Sequence, residues 1–170
     1  MLHAIVGALV LGAVSTLGDF VWEAMRLRHR MVYGIVHGAV VCLCVGAVVG
    51  WRAGRPALGA AAGPFVGVAA AGFFYLLAPM LRYNAMFPAW MFFWVCFALL
   101  QKTLRREPAW GPAILRGVAA AILSGLAFYA ISGIWTRPPR EGPNYLYNFA
   151  AWSFAFFPGF AALFVDRLRR

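Results

Sequence analysis

Residues 31–51 read MVYGIVHGAVVCLCVGAVVGW, an apolar run without a single Asp, Glu, Lys or Arg. About 20 such residues span the roughly 30 Å hydrocarbon layer of a bilayer when they form a helix. The run lacks strict apolar–polar alternation, and only helices or closed barrels satisfy their backbone hydrogen bonds in lipid. We therefore predict a transmembrane helix here, closed by Arg52 and Arg55.

Similar apolar runs occur six times along the 170 residues, two of them with a single charged residue, Asp19 or Arg116, and short basic or proline-containing gaps separate the runs. Gaps this short leave no room for a domain outside the membrane, and they make successive helices antiparallel neighbours. We predict an all-α fold, a polytopic membrane helix bundle in which residues 1–170 form a single transmembrane domain. Its six transmembrane helices are expected at about residues 4–22, 31–51, 56–80, 83–100, 111–135 and 145–165.

The composition indicates a membrane protein. Hydrophobic residues make up 64% of the chain and charged residues 12%, whereas soluble domains have about 45–50% and about 25%. The net charge of +10 lies mostly in the gaps, which suits anionic lipid headgroups, so we expect no nucleic-acid partner. The abundance of Ala, Gly, Arg, Val and Pro suggests a bacterial source, and the expected location is the bacterial inner membrane.

The basic residues also predict an orientation. The end of the bundle that holds both termini collects Arg52, Arg55, Lys102, Arg105, Arg106, Arg167, Arg169 and Arg170. The other end collects the smaller set of Arg26, Arg28, Arg30, Arg82, Arg137 and Arg140. Because basic residues favour the cytoplasmic side, we predict that both termini are cytoplasmic.

Small residues recur at a spacing of four in three of the runs, and we call these series the glycine ridges. They are Gly34, Gly38, Cys42, Gly46 and Gly50; Gly59, Gly63, Gly67 and Ala71; and Gly117, Ala121 and Gly125. Residues four apart share a helix face, and a face without bulk lets two helix backbones approach closely. We predict tight helix contacts along these ridges, either within one chain or between the subunits of a homo-oligomer.

Aromatic residues are concentrated in the fourth and sixth runs, in larger numbers than interfacial belts require. One interpretation is lipid-facing bulk and core filling, and the other is an aromatic pocket for a rigid or acyl-chain ligand. Pro88 and Pro158 favour the pocket, because each removes a backbone donor and is able to kink its helix. The candidate ligand-binding residues are Trp90, Phe93, Trp94, Tyr129, Asn148, Trp152 and Phe156.

Asp19, Glu23 and His37 form a second candidate site, a polar cluster at membrane depth. Asp19 and Glu23 are four residues apart and therefore share a face of the first helix. Ionisable residues inside a membrane are costly and often functional. Their simpler interpretation is an interfacial ion-pair cluster with a hydrogen-bonded histidine, and the alternative is a proton relay or a catalytic pair.

The motifs of common enzymes and metal sites are missing from the sequence, including nucleophile arrangements, phosphate loops and HExxH. Cys42, Cys44 and Cys96 lie inside apolar runs without a CxxC spacing, which indicates structural thiols. We therefore expect no catalytic residue, no metal and no cofactor.

The C-terminal third resembles the last two helices of the Insig family. The similarity lies in LAFYAISGIW at 126–135, GPNYLY at 142–147, WSFAFFPG at 152–159, and the pair Asp166-Arg167. Members of that family show a similar helix, a short proline-containing loop, an aromatic-Leu-Tyr start and a final helix rich in phenylalanine and glycine. The six-helix count, the small size and the cytoplasmic termini are also similar.

This resemblance implies a prokaryotic-type homologue that is not an enzyme and that binds a lipid between its helices. Animal members hold sterol-like ligands and retain other membrane proteins in the endoplasmic reticulum. A bacterial member would lack the sterol-regulated partners, so the resemblance implies a glycerolipid ligand ahead of a sterol-like one. The expected partner is thus a membrane lipid, and the sequence does not identify a protein partner.

Two other functions stay open at this point. The first is a small membrane enzyme or transporter that uses Asp19, Glu23 and His37. The second is a TspO-like binder of tetrapyrroles or sterols, because that family is also small and tryptophan-rich, although it has five helices.

Overall fold

The computed structural model describes residues 1–25, 29–132 and 144–165, apart from the side chains of Glu23, Arg30, Tyr83 and Ser132. Each of the α-helices in these ranges is long and apolar enough to cross a membrane. The prediction of an all-α bundle with six transmembrane helices is therefore confirmed, and the chain is an integral membrane protein. The helices are α1 (Leu2–Met25), α2 (Arg30–Arg52), α3 (Pro56–Leu81), α4 (Met86–Arg105), α5 (Trp110–Ser132) and α6 (Tyr145–Leu163).

The predicted fourth helix, 83–100, is wrong at both ends. A turn of 3-10 helix begins at Arg82, where φ is +53°, and it separates α3 from α4, which starts at Met86. At the other end the helix continues through Gln101 and Lys102, because both side chains are buried within the bundle. Their polarity therefore does not end the helix where the apolar run ends.

The other predicted bounds agree with the structure more closely. The ends of α1, α2, α3 and α6 differ from the predicted ones by no more than three residues. The predicted end of the fifth helix at 133–135 lies outside the described residues. So do the arginine-rich gap at 26–28, the polar gap at 136–143 and the tail at 166–170.

The six helices form a closed ring of antiparallel neighbours. Each helix contacts the next one along the chain, and α1 also contacts α6, which closes the ring. The ring of His3 lies 4.2 Å from that of Trp51, and Phe20 lies 5.5 Å from Tyr145, as antiparallel pairs require. We call the end where α1 begins and α6 ends the terminal end, and the other the opposite end.

The glycine ridges bring helices of the same chain together, which confirms the predicted tight contacts. The α2–α3 pair is the most extensive helix contact of the ring. A Cβ atom added to Gly63 would lie 2.7 Å from the carbonyl carbon of Cys42, and one added to Gly117 would lie 2.7 Å from the Cα of Val95. Backbones are therefore in direct contact at both sites, so these ridges serve the fold of one chain.

Aromatic side chains fill the half of the bundle toward the terminal end. Trp94, Phe97 and Phe160 are fully buried. Trp94 meets Phe160 edge to face at 5.5 Å between ring centroids, a favourable aromatic geometry. A Cβ atom at Gly159 would lie only 2.8 Å from Trp94 Cε2, so this glycine makes room for the indole ring. This half forms a densely packed aromatic core, which we call the filled core.

Candidate functional site

A cavity of about 170 Å³ lies at the centre of the ring, toward the opposite end, and we call it the central cavity. Every helix except α5 contributes to its wall. The lining residues are Ser15, His37, Gly38, Val41, Cys42, Gly67, Ala70, Ala71, Trp90, Phe93, Trp152 and Phe156. Most of this wall is apolar, and the polar side chains in it come from the first two helices.

The central cavity exists because small residues on one side face large rings on the other. The glycine ridges of α2 and α3 carry no large side chains, so nothing from them projects into the space beside the surface where the two helices touch. Across the space, Trp90 stacks on Phe93 with 5.1 Å between centroids, and Trp152 stacks on Phe156 at 6.0 Å. Residues three or four apart on a helix are surface neighbours, so each ring supports the next. The aromatic wall is therefore preorganised.

Four of the seven predicted ligand-binding residues come together at this cavity, namely Trp90, Phe93, Trp152 and Phe156. The structure places the others elsewhere: Tyr129 lies nearby on α5, whereas Trp94 belongs to the filled core. Asn148 is half-buried and lines neither space described here.

Sequence reasoning missed the small residues of the wall. Gly38, Gly67 and Ala71 belong to the glycine ridges, and the sequence analysis assigned those ridges to helix contacts alone. The ridges were thus the available signal, because glycines that let two backbones touch also leave no side chains to fill the space beside that contact.

A narrower space of about 30 Å³ lies between α4, α5 and α6, and we call it the lateral groove. Its lining is formed by Met86, Phe87, Trp90, Gly125, Phe128, Tyr129 and Trp152. Phe87 and Tyr129 are exposed on the outer surface of the bundle, 52% and 37% respectively. Trp90 and Trp152 line both spaces, so these two rings separate the lateral groove from the central cavity.

Asp19 fixes one of these two rings. The indole Nε1–H of Trp152 donates a hydrogen bond of 3.0 Å to Asp19 Oδ2. The His37 ring lies against the α-carbon of Gly18 and interacts electrostatically with the Asp19 carboxylate. His37 also stacks on Tyr33, whose hydroxyl donates to the carbonyl oxygen of Gly18. Asp19 and His37 thus lie together, and their described partners are groups of the bundle itself.

The third member of the predicted polar cluster, Glu23, lies on α1, and its side chain is outside the described residues. Within the described part of the chain, no group of three or more His, Cys, Asp and Glu side chains is placed to hold a metal ion. Cys42, Cys44 and Cys96 are free thiols. Chemically, the described groups hold rings in place and present a mostly apolar surface to the space between them.

Pro88 lies near the start of its helix, where it removes no hydrogen bond of the helix interior. Pro88 is the third residue of α4, in the first turn, where backbone N–H groups have no acceptor within the helix. Pro158 lies inside α6, as predicted. The central cavity therefore does not depend on a kink at Pro88, and the small residues of α2 and α3 account for its space.

The central cavity, the lateral groove and the Asp19–Trp152 hydrogen bond are the features that bear on function. Helices far apart in the sequence build the central cavity and the hydrogen bond, whereas the consecutive helices α4, α5 and α6 build the lateral groove. Comparisons with protein-family models, with known proteins and with solved structures find no significant match to this chain.

Proposed function

We propose that this protein is a non-enzymatic membrane protein that binds a glycerolipid, with one acyl chain of the lipid in the central cavity. A single observation carries the proposal: a cavity of about 170 Å³ with an aromatic wall lies inside a bundle of membrane-spanning helices. A membrane lipid is the apolar ligand present at the highest concentration around such a bundle. Binding sites of this kind are concave and mostly apolar, with a few polar groups.

The size of the cavity sets what it accommodates. An apolar cavity of about 150 Å³ holds a molecule as small as benzene, so about 170 Å³ takes a section of one acyl chain. The remainder of the lipid would stay outside the ring. Ser15 and His37 supply a polar part of the wall, which suits the ester region of a glycerolipid better than a purely hydrocarbon ligand.

We extend the proposal to an Insig-like lipid sensor or regulator. Its support is the resemblance in the last two helices, together with a bundle of six helices, which differs from the five of the TspO family. The bacterial inner membrane, cytoplasmic termini and a homo-oligomer belong to the same proposal. A reporter fused to the C-terminus reads the orientation, and native mass spectrometry reads the oligomeric state.

The test compares two valine-to-phenylalanine variants at neighbouring positions of α2. Val41 is 8% exposed and lines the central cavity, whereas Val40 is 49% exposed on the outer surface. We expect the wild-type protein and Val40→Phe to retain a defined lipid after gentle purification. Val41→Phe should lose it, because the phenyl ring occupies the space of the chain.

Native mass spectrometry counts the retained lipid per subunit, and extraction identifies its class. Circular dichroism and gel filtration of both variants check that the fold is kept. Wild-type protein without any defined lipid would refute the proposal, as would equal retention by the two variants. In the first case Asp19 and His37 become the candidates for a transport or catalytic site, to be tested by Asp19→Asn and His37→Gln.

A further inference from the structure

We propose that the lateral groove is the route by which the acyl chain passes between the bilayer and the central cavity, with Trp90 and Trp152 as its gate. This inference rests on the proposed lipid binding and adds the path, the gating residues and the occupant of the groove, which is a lipid acyl chain.

The groove is open to the hydrocarbon phase at its outer side. Phe87 and Tyr129, which line it, are exposed on the surface of transmembrane helices. Gly125 is seven residues before the end of α5 and Trp90 four after the start of α4. At 1.5 Å per residue these positions lie about 6–10 Å below the opposite end of the bundle. An acyl chain reaches this depth while its headgroup stays at the membrane surface.

At its inner side the groove ends on rings that also bound the central cavity. Trp90 and Trp152 line both spaces, so a shift of these two side chains joins the groove to the cavity. Gly125 lies opposite Trp90, and a Cβ atom added to Gly125 would still be 3.8 Å from Trp90 Cδ1. The glycine thus provides room beside the Trp90 ring, in contrast with the glycines that touch a neighbouring backbone.

The two tryptophans are held differently. The Nε1–H of Trp152 is bound by Asp19, whereas the buried Nε1–H of Trp90 has no hydrogen-bond partner among the described residues. Within the described part of the chain, Trp90 is therefore held by ring contacts alone, with Phe93, Trp94 and Phe156, and it is the ring that turns without breaking a hydrogen bond. Asp19 acts as a positioning residue, because it keeps Trp152 in place and so keeps the route closed between exchange events.

The test measures exchange of the bound lipid in the full-length protein. Protein carrying unlabelled phosphatidylethanolamine is mixed with vesicles of chain-deuterated phosphatidylethanolamine and phosphatidylglycerol, and native mass spectrometry follows the mass of the bound lipid with time. Gly125→Leu places a side chain in the groove, where the glycine meets no backbone atom. Gly72→Leu is the matched control, because a Cβ atom at Gly72 meets nothing within 4 Å.

We expect exchange in Gly125→Leu to be at least about fivefold slower, since overpacking the narrow groove raises the barrier to passage by about that factor or more. The amount of lipid bound at equilibrium should match that of the wild type, and Gly72→Leu should exchange at the wild-type rate. Phe128→Ala, which widens the groove, should exchange faster, and it provides an independent test if Gly125→Leu does not fold.

The possible failures are distinguishable. If wild-type protein binds lipid but Gly125→Leu exchanges as fast as Gly72→Leu, or Phe128→Ala is no faster than wild type, the proposed route is overturned while lipid binding stands. If wild-type protein holds no lipid before mixing and takes up none from the vesicles, the proposed function itself is overturned, and the route with it.

Discussion

Gly63→Ala should destabilise the bundle, although alanine is the better helix former. The Cβ atom of the new side chain would lie 2.7 Å from the carbonyl carbon of Cys42 and 2.9 Å from the Cα of Leu43. The carbonyl oxygen of Cys42 would lie closer still. Carbon atoms prefer a separation of about 3.5–4.0 Å, so α2 and α3 would have to move apart by at least about 0.8 Å. The opposing atoms belong to the backbone, so no side-chain rotation relieves the overlap.

The change in the free energy of unfolding of Gly63→Ala is the balance of two opposing effects. Overpacking of this kind costs about 1–3 kcal/mol, whereas Gly→Ala at an unstrained position gains about 0.4–1 kcal/mol through the unfolded state. Gly72→Ala isolates the second effect, because nothing lies within 4 Å of a Cβ atom there and both glycines belong to α3. Because both variants share the second effect, it cancels in the comparison, and we expect Gly63→Ala to be less stable than Gly72→Ala by at least about 1 kcal/mol, the lower limit of the overpacking cost.

Reversible unfolding in mixed micelles of dodecyl sulfate and a mild detergent measures both free energies of unfolding, with helical circular dichroism as the signal. The wild-type protein is measured in the same series. A Gly63→Ala variant as stable as Gly72→Ala would refute the direct backbone contact between α2 and α3 and, with it, the role assigned to the glycine ridges.

Two further predictions use the same unfolding assay. Trp94→Ala should lower the free energy of unfolding by about 3–5 kcal/mol, because the indole is fully buried in the filled core. Phe92→Ala, at a 37% exposed position, is the control and should lower it much less. Similar decreases in the two variants would contradict the assignment of Trp94 to the core. Asp19→Leu should cost up to about 1.7 kcal/mol, the upper range for hydrogen bonds in membranes, and should alter the fluorescence of the tryptophan that Asp19 binds. Asp19→Asn, which keeps an acceptor oxygen, should retain most of both properties, and identical behaviour of the two Asp19 variants would argue against the hydrogen bond to Trp152.

Much of the fold was predictable because a bilayer leaves few choices. An apolar run such as 31–51 has to form a helix, since no water is present to satisfy its backbone groups. Spacing along a helix is also a local property, so the series around Gly63 predicted which face of α3 makes a tight contact, but not that α2 is its partner. Where burial overrides composition, as at Gln101 in α4, the sequence misplaced the end of a helix.

The functional features needed the tertiary structure. Nothing in the sequence pairs Asp19 with Trp152 across 133 residues, because closure of the ring between α1 and α6 depends on the shapes of all six helices. The closure of the ring also gives two tryptophans of α4 different places. Trp94 lies in the filled core, whereas Trp90 lines the central cavity. The sequence by itself determined six transmembrane helices and the small-residue faces along which helices pack tightly, since both follow from local spacing and hydrophobicity. Only the tertiary structure decided where space remains inside the ring, because a cavity depends on which side chains from distant segments do not meet.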